Sequence, residues 1–548
     1  MDNFIKKHQS IFLFAGLLLV CFLAYFLGIG SYPLMDVDET RYVSMARDMF
    51  NSKDFLTLYL NGEYFFEKPP LYFWSECLSF GLFGAVNEFT ARFAVSSYAL
   101  LVTVMVYFTG KKVVSERFGL ISALILATMI EFTVLAKYAI LDIVLTSLVG
   151  CSVLFGFLTQ FVKENNQKYF WWLFYIFSGL AVMAKGIPGF VIPFGTMFFV
   201  TIFNKSFKKI FKPSNIIPGI ILFLLIVIPW HLIMLKMHNP LFYDEYIIKH
   251  HIHRFFSSEE IGREQPFYFY ILTLLWGTLP YTLSALAVGI TKIFKWEKPD
   301  FSGMTNERKF LWFNTIAFVF TLIFFSSSST KLITYILPAY VFLSYIIGCI
   351  WTEYIYYDKH TKPINISSYI IGGIFVISAV AAIFMRYYLP EETYTYIQDL
   401  RRFDMVLLVA AGLSVILFTA RKQKLAVFAT FVAAMTILSA FGTKLFYDFN
   451  FKFGQNDLME FSRQEKALGH KLYVINNARK YSVLYYGGDV EYITLNDETP
   501  RLKKSDEIFN QESVAIIKNK DYDKISGKYD IELLQKGRKH SKVKLRQR

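Results

Sequence analysis

Long uncharged stretches constrain this chain more than any other feature. Ile11 to Gly30 runs for 20 residues without a charge, the length that a helix needs to cross the hydrocarbon core of a bilayer. This first run is long for a signal peptide, lacks a clear small-residue cleavage site and is followed by further runs of the same kind. It therefore reads as a retained first helix. Of the 548 residues, 54% are hydrophobic and 18% aromatic, and the mean hydropathy is +0.38. A soluble protein of this composition would expose large apolar patches.

About 13 spans are expected, near residues 10–30, 91–110, 118–136, 140–161, 169–184, 186–203, 215–236, 267–291, 310–327, 332–352, 366–387, 403–420 and 425–443. The net charge of +14 could suggest a nucleic-acid partner, but Lys and Arg gather in short loops between apolar runs. With Lys6 and Lys7 in the cytoplasm, alternate loops carry Lys111, Lys112 and Arg117, then Lys163 and Lys168, then Lys205 to Lys212. The later ones carry Lys292 to Lys309, Lys359 and Lys362, and Arg421 to Lys424. Every cytoplasmic loop is then basic, as the positive-inside rule requires. Three larger segments, 31–90, 237–266 and 444–548, fall on the outer side. Cys21, Cys77, Cys151 and Cys349 lie in or beside apolar runs with no CxxC spacing, so no disulfide or cysteine metal site is expected.

The tail changes character near residue 444. Short apolar runs at Lys471–Ile475, Val490–Thr494 and Ser513–Ile517 read as strands, with helical stretches around 456–468 and 478–486. The expected organisation is a membrane domain, 1–443, and a small soluble α/β domain, 444–548. The basic end, Lys536 to Arg548, is expected to be frayed.

The chemistry concentrates in the first outer loop. Asp36-Val-Asp-Glu-Thr-Arg-Tyr42 opens a segment whose apolar positions are Tyr42, Met45, Ala46, Met49 and Phe50, one face of a helix. Arg41, Ser44, Arg47, Asp48 and Asn51 form the other face. Too short to span and strongly two-faced, it is expected to lie in the membrane interface. Asp38 stands at its start, where the ordinary role is an N-cap. A carboxylate at the mouth of an apolar bundle also needs a partner or a water-filled cavity. Further on, Tyr64-Phe-Phe-Glu-Lys-Pro-Pro-Leu-Tyr-Phe-Trp74 begins a second apolar, aromatic helix after Pro69 and Pro70. Glu67 and Lys68 stand just before it. The ordinary reading of Lys68 is a snorkelling surface lysine with a nearby ion partner.

Asp-Glu-x-Arg-Tyr, Asn61-Gly62 and Glu-Lys-Pro-Pro-Leu-Tyr together resemble the bacterial members of the protein mannosyltransferase-like superfamily, and most nearly the lipid A aminoarabinose transferases. Tyr138-Ala-Ile-Leu-Asp142 resembles the family's second acidic site. His251-Ile-His-Arg-Phe255, Gln265-Pro-Phe-Tyr-Phe-Tyr270 and Ser329-Thr-Lys-Leu-Ile-Thr-Tyr-Ile-Leu-Pro338 resemble later outer segments. The resemblance covers essentially the whole chain. It implies a mainly α, polytopic GT-C-like helical bundle with interfacial helices in the first periplasmic loop and a small C-terminal α/β periplasmic domain. It also implies an inner-membrane location with a cytoplasmic N-terminus. The implied donor is a polyprenyl-phosphate sugar and the implied acceptor is lipid A. Membrane lipids are the other partners, and no nucleic acid is expected.

Departure of the phosphate from the donor leaves negative charge on it and positive character on the sugar, so cations beside the phosphate stabilise the transition state. Arg41, Lys68, Arg254 and Lys331 are the candidates, with Tyr42 and Tyr335 beside them as substrate-binding groups. Asp38, Glu67 and Asp142 are the catalytic candidates. A carboxylate orients the acceptor, takes its proton if it is a hydroxyl, or offsets charge on the sugar; it could instead hold a divalent cation. A single displacement predicts inversion. His250, His251 and His253 lie near Glu245, and imidazole with carboxylate binds divalent ions. His251 is the candidate metal ligand, against the plainer reading of an interfacial helix with titratable residues. Where the family pattern has a tyrosine two residues before Glu67, this chain has Phe65, with Tyr64 one step earlier. Aminoarabinose and galactosamine both remain open as the sugar. Competing readings are a polypeptide acceptor, as in protein O-mannosyltransferases, and a flippase for a lipid-linked sugar. Against the flippase, no paired repeats with matching broken helices are visible. A sensor with an outer domain would not need these charged groups together.

Overall fold

The structure is a computed structural model that describes residues 2–205, 212–253, 265–293, 303–388, 391–442, 445, 455–475, 480–488, 490–494, 503–504, 513–523 and 529–547. It is a helical bundle with a small sheet near its C-terminus. Among the described residues, nine helices are long and apolar enough to cross a membrane. The count is ten if Phe269–Gly277 and Thr282–Ile290, bent by 119°, form one broken crossing.

Each of the 13 expected spans falls on helix, but four do not pass as continuous crossings: the bent pair within 267–291 and three others. Residues 118–136 form α5 (Glu116–Thr128) and α6 (Ile130–Leu135), separated by the extended backbone of Met129. The helix α8 (Glu164–Lys185) opens on the polar run Glu164-Asn-Asn-Gln-Lys168. The helix α9 (Pro188–Phe203) has only 16 residues and contains Pro193. The helix α1 (Asp2–Cys21), continued by the turn Phe22–Phe26, packs inward through Cys21, Ala24 and Tyr25, all fully buried.

The first loop holds the two short helices expected there. The helix α2 (Asp38–Ser52) buries Tyr42, Met45, Ala46 and Met49, so the apolar face was set by helical spacing. Ser44, assigned to the polar face, is buried too, because a C-terminal segment covers that side. A hairpin of β1 (Tyr59–Leu60) and β2 (Glu63–Tyr64) follows. Its turn places Asn61 at φ +53° and Gly62 at φ +82°, the left-handed pair that Asn-Gly supplies at low steric cost. The helix α3 (Leu71–Phe83) starts after Pro70 and stops at Gly84, whose φ is +67°. The helix α4 (Glu88–Val113) begins with an Asn87–Thr90 capping box and α7 (Leu141–Leu158) is almost wholly buried.

The C-terminal sheet has β3 (Leu472–Ile475), β4 (Val490–Thr494), β5 (Lys503–Lys504), β6 (Ser513–Lys518), β7 (Tyr529–Lys536) and β8 (His540–Gln547). They lie in the order β5-β4-β3-β6-β8-β7, parallel from β5 to β6 and antiparallel beyond. The basic end is therefore not frayed. Val543 and Leu545 are fully buried while Lys542 and Lys544 alternate with them, a period of two that the charge count hid.

The sheet carries a built-in pH response. Burial pushes the His540 imidazole down from 6.5 to about 4, against the pull of Asp457. The folded state keeps this ring neutral, so unfolding takes up a proton in that interval. Stability from this group is complete above about pH 6.5 and falls as pH drops towards 4, by about 3 kcal/mol in all. Thermal melting followed from pH 7 to 4 should fall more steeply for the wild type than for His540→Gln.

Candidate functional site

The Asp36–Tyr42 segment gives three neighbouring acids three different tasks. Asp36 is buried and points at the C-terminal region. It accepts hydrogen bonds from the backbone N–H of Ser482 at 2.7 Å, the Ser482 hydroxyl at 2.6 Å and the Thr40 hydroxyl at 2.7 Å. Arg47, three turns along α2, donates to the carbonyls of Leu484 at 3.3 Å and Tyr485 at 2.9 Å. The short helix Ser482–Gly487 thus has an acid at its positive end and a base at its negative end. Asp36→Ala should weaken this docking by about 2 kcal/mol, seen as faster amide exchange across residues 482–487 with the membrane helices unchanged.

Glu39 is fully buried and clamped by Arg92, with Nε to Oε1 at 2.7 Å and Nη2 to Oε2 at 2.8 Å. Its carboxylate also accepts from the backbone N–H groups of Met35 at 2.8 Å and Ala139 at 3.0 Å. The Tyr72 hydroxyl of α3 donates to the Ala139 carbonyl at 2.8 Å. The segment leading into α7 is thereby tied to both interfacial helices, which fixes Asp142 relative to Asp38.

Asp38 carries neither of these structural tasks. It is the first residue of α2, after Val37 in the cap position, so the N-cap reading fails. Among the described residues its one bonded partner is Arg41, at 2.8 Å, and its side chain is 36% exposed. The same Arg41 nitrogen donates to the Tyr42 hydroxyl at 2.8 Å. Burial alone would lower the Arg41 pKa, but Tyr42, Glu67, Asp38 and Tyr481 raise it above its ordinary value. The guanidinium is therefore a fixed positive charge. Burial raises the Tyr42 phenol, with Arg41 opposing and Asp38, Glu67 and Asp142 each adding to the rise. The charges of all three predicted carboxylates thus bear on Tyr42.

Asp142, near the start of α7, is ion-paired with Lys185, the last residue of α8. The Lys185 ammonium lies 4.0 Å from the centre of the Tyr335 ring. Lys185 was missed by the sequence reading, although a signal existed. In the expected topology it is a lone base in the short outer turn between spans 169–184 and 186–203, where the positive-inside rule gives it no topological purpose. Glu67 stands 3.9 Å from His250, and Lys68 follows it, half-buried. Lys331 is buried with its ammonium on the carbonyls of Gln265 at 3.0 Å and Ser328 at 2.6 Å, contacts that it would leave to meet a phosphate. Burial lowers its pKa. Phe65 faces Arg41, 5.9 Å from guanidinium to ring centre, with the Tyr42 ring nearer at 4.7 Å. Tyr64 turns away to stack on Phe66 and His238, so it does not restore a hydroxyl there.

Arg254 and the His251 side chain lie outside the described residues. Glu67 and His250 offer two donors, and no group of three His, Cys, Asp or Glu side chains suited to a metal occurs among the described residues.

Known proteins share this architecture. The family of dolichyl-phosphate-mannose-protein mannosyltransferases matches residues 10–239. The undecaprenyl phosphate-alpha-4-amino-4-deoxy-L-arabinose arabinosyl transferase of Yersinia enterocolitica is 30% identical over 344 residues, 62% of this chain and 59% of that protein. Enzyme 1 of that name from Sodalis glossinidius is 27% identical over 381 residues, 68% of this chain and 64% of its own length. The aligned part thus spans less than two thirds of each. The crystal structure of ArnT from Cupriavidus metallidurans bound to undecaprenyl phosphate matches with a TM-score of 0.80 at 18% identity, over 98% of both chains.

These matches indicate a multi-pass membrane glycosyltransferase that uses a polyprenyl-phosphate-linked sugar, with the fold of the GT-C type. Within that class the chain is ArnT-like.

Proposed function

We propose that this protein transfers an amino sugar, aminoarabinose-like or galactosamine-like, from a polyprenyl-phosphate donor to lipid A at the outer face of the inner membrane. The observation that carries the reading is the Arg41 guanidinium bonded to both Asp38 and Tyr42, with Lys185 paired to Asp142 and the charges of Glu67 and Asp142 bearing on the same Tyr42 phenol. The names of the two arabinosyl transferase relatives support the sugar class. The basic loops support a cytoplasmic N-terminus, and the contacts of Asp36 and Arg47 with residues 482–485 put the first loop and the C-terminal region on one side.

The proposed reaction breaks the bond between the anomeric carbon and the donor phosphate oxygen. The departing oxygen keeps the electron pair, and an acceptor oxygen forms the new bond from the opposite face. Arg41 and Lys185 offset charge on the leaving phosphate, with Lys68 as a third cation. Arginine grips two oxygens and lysine acts as a point charge. If the nucleophile is a lipid A phosphate it is already anionic, and Asp38 orients it. If it is a hydroxyl, Asp38 takes its proton. A single displacement inverts the anomeric centre, and retained configuration in the product by NMR would contradict it.

A polypeptide acceptor is the second reading, favoured by the mannosyltransferase family match over residues 10–239. Mass spectrometry of lipid A from cells with the gene and from a deletion strain separates the two. Loss of an amino-sugar mass on deletion is expected. Its persistence, or its absence from both strains, refutes the lipid A assignment.

A further inference from the structure

A second charged site lies at the far end of α2. A cavity of about 520 Å³ opens there between the first loop and the C-terminal region, lined by Arg47, Glu88, Arg463, Lys466, Tyr485 and Tyr486 among others. Its charges do not balance. Arg47 is ion-paired with Asp48 at 2.9 Å, and Glu88 accepts from the Tyr486 hydroxyl at 3.0 Å. Arg463 and Lys466, one turn apart on the exposed face of the helix Asn456–Leu468, make no ion pair among the described residues. The Arg463 guanidinium sits 4.7 Å over the Tyr486 ring, which holds it towards the cavity. Two cations held at one cavity wall with a single lining carboxylate opposite suit a phosphate group.

The surroundings say where that phosphate comes from. The cavity is also lined by Val86, three residues beyond the end of α3. On α3, Leu78 and Leu82 are 65% and 69% exposed and share one face, and Phe83 is 46% exposed. Exposed apolar side chains on an interfacial helix of a membrane protein lie against acyl chains. An apolar strip thus leads to a basic polar cavity, which is the two-part surface a lipid with an anionic headgroup fits.

We propose that this cavity binds the phosphate of an anionic membrane lipid whose acyl chains lie along α3. The site is separate from Asp38, which lies nine residues before Arg47 and thirteen before Asn51 on α2, and does not depend on which sugar is transferred. Full-length protein is tested by native mass spectrometry with phosphatidylglycerol and with phosphatidylcholine of the same chains. Retention of phosphatidylglycerol over phosphatidylcholine is expected. Arg463→Gln with Lys466→Gln should lower it roughly tenfold or more, and Arg421→Gln, in a loop between later spans, should not. Circular dichroism checks that the double variant folds, and Lys466→Gln alone should give a smaller loss in the same direction. Equal retention by a folded double variant overturns the proposal. Displacement by inorganic phosphate with no preference between the two lipids assigns the cavity to free phosphate and overturns the lipid assignment.

Discussion

The Asp38→Asn protein is expected to fold normally and to transfer sugar roughly 10²–10⁴-fold more slowly. Two observations separate these effects. Asp38 caps nothing, because Val37 holds the cap position of α2. Its one described partner is Arg41, in an ion pair whose carboxylate is 36% exposed, and pairs of that kind contribute at most about 1 kcal/mol. Asparagine keeps the shape and removes the charge. The melting temperature should therefore barely move while the rate collapses, as read by product formation with purified donor and acceptor. A variant that melts much earlier would make Asp38 structural. One that keeps its rate would remove it from the reaction.

The opposite pattern is expected at Arg92. Its guanidinium spends all five donors: two on Glu39 and one each on the carbonyls of Ile29 and Tyr32 at 2.7 Å and Pro33 at 2.8 Å. Both partners of the ion pair are fully buried. Breaking such a pair from one side costs about 3–5 kcal/mol, because the other charge stays buried and alone. Arg92→Leu should thus give little folded protein in detergent, measured by size exclusion and melting. Arg92→Leu with Glu39→Leu should recover part of that loss, since the stranded carboxylate is gone. If the double variant is no better than the single, the stranded charge is not the cause.

Much of this arrangement is legible in the sequence because membranes enforce simple rules. Uncharged runs of the right length gave helices at every expected span, and basic loops suggested an orientation. Helical spacing identified the buried face of α2, and Pro-Pro marked the start of α3. What escaped reading has a common physical origin. Asp36, Asp38 and Glu39 are chemically alike and close together, and distant partners divide their roles: Ser482 takes Asp36 and Arg92 takes Glu39, while Asp38 keeps its neighbour Arg41. Lys185 passed unnoticed between two short spans, and only Asp142 beside it gives it a purpose. Lys331 rests its ammonium on the carbonyls of Gln265 and Ser328, which the sequence does not reveal. The strand β8 was hidden by lysines that alternate with Val543 and Leu545. For Asp36, Glu39 and Lys185 the deciding partner lies far away in the chain.

The central claim is that the groups around Tyr42 transfer a lipid-linked sugar. It is tested most directly by reconstituting the purified protein in vesicles with a polyprenyl-phosphate amino sugar and lipid A, then weighing the lipid A by mass spectrometry. The account predicts a mass increase of one amino sugar with the wild type and almost none with Asp38→Asn. Movement of the donor across the bilayer without any gain in lipid A mass, or an equal gain with Asp38→Asn, would contradict it.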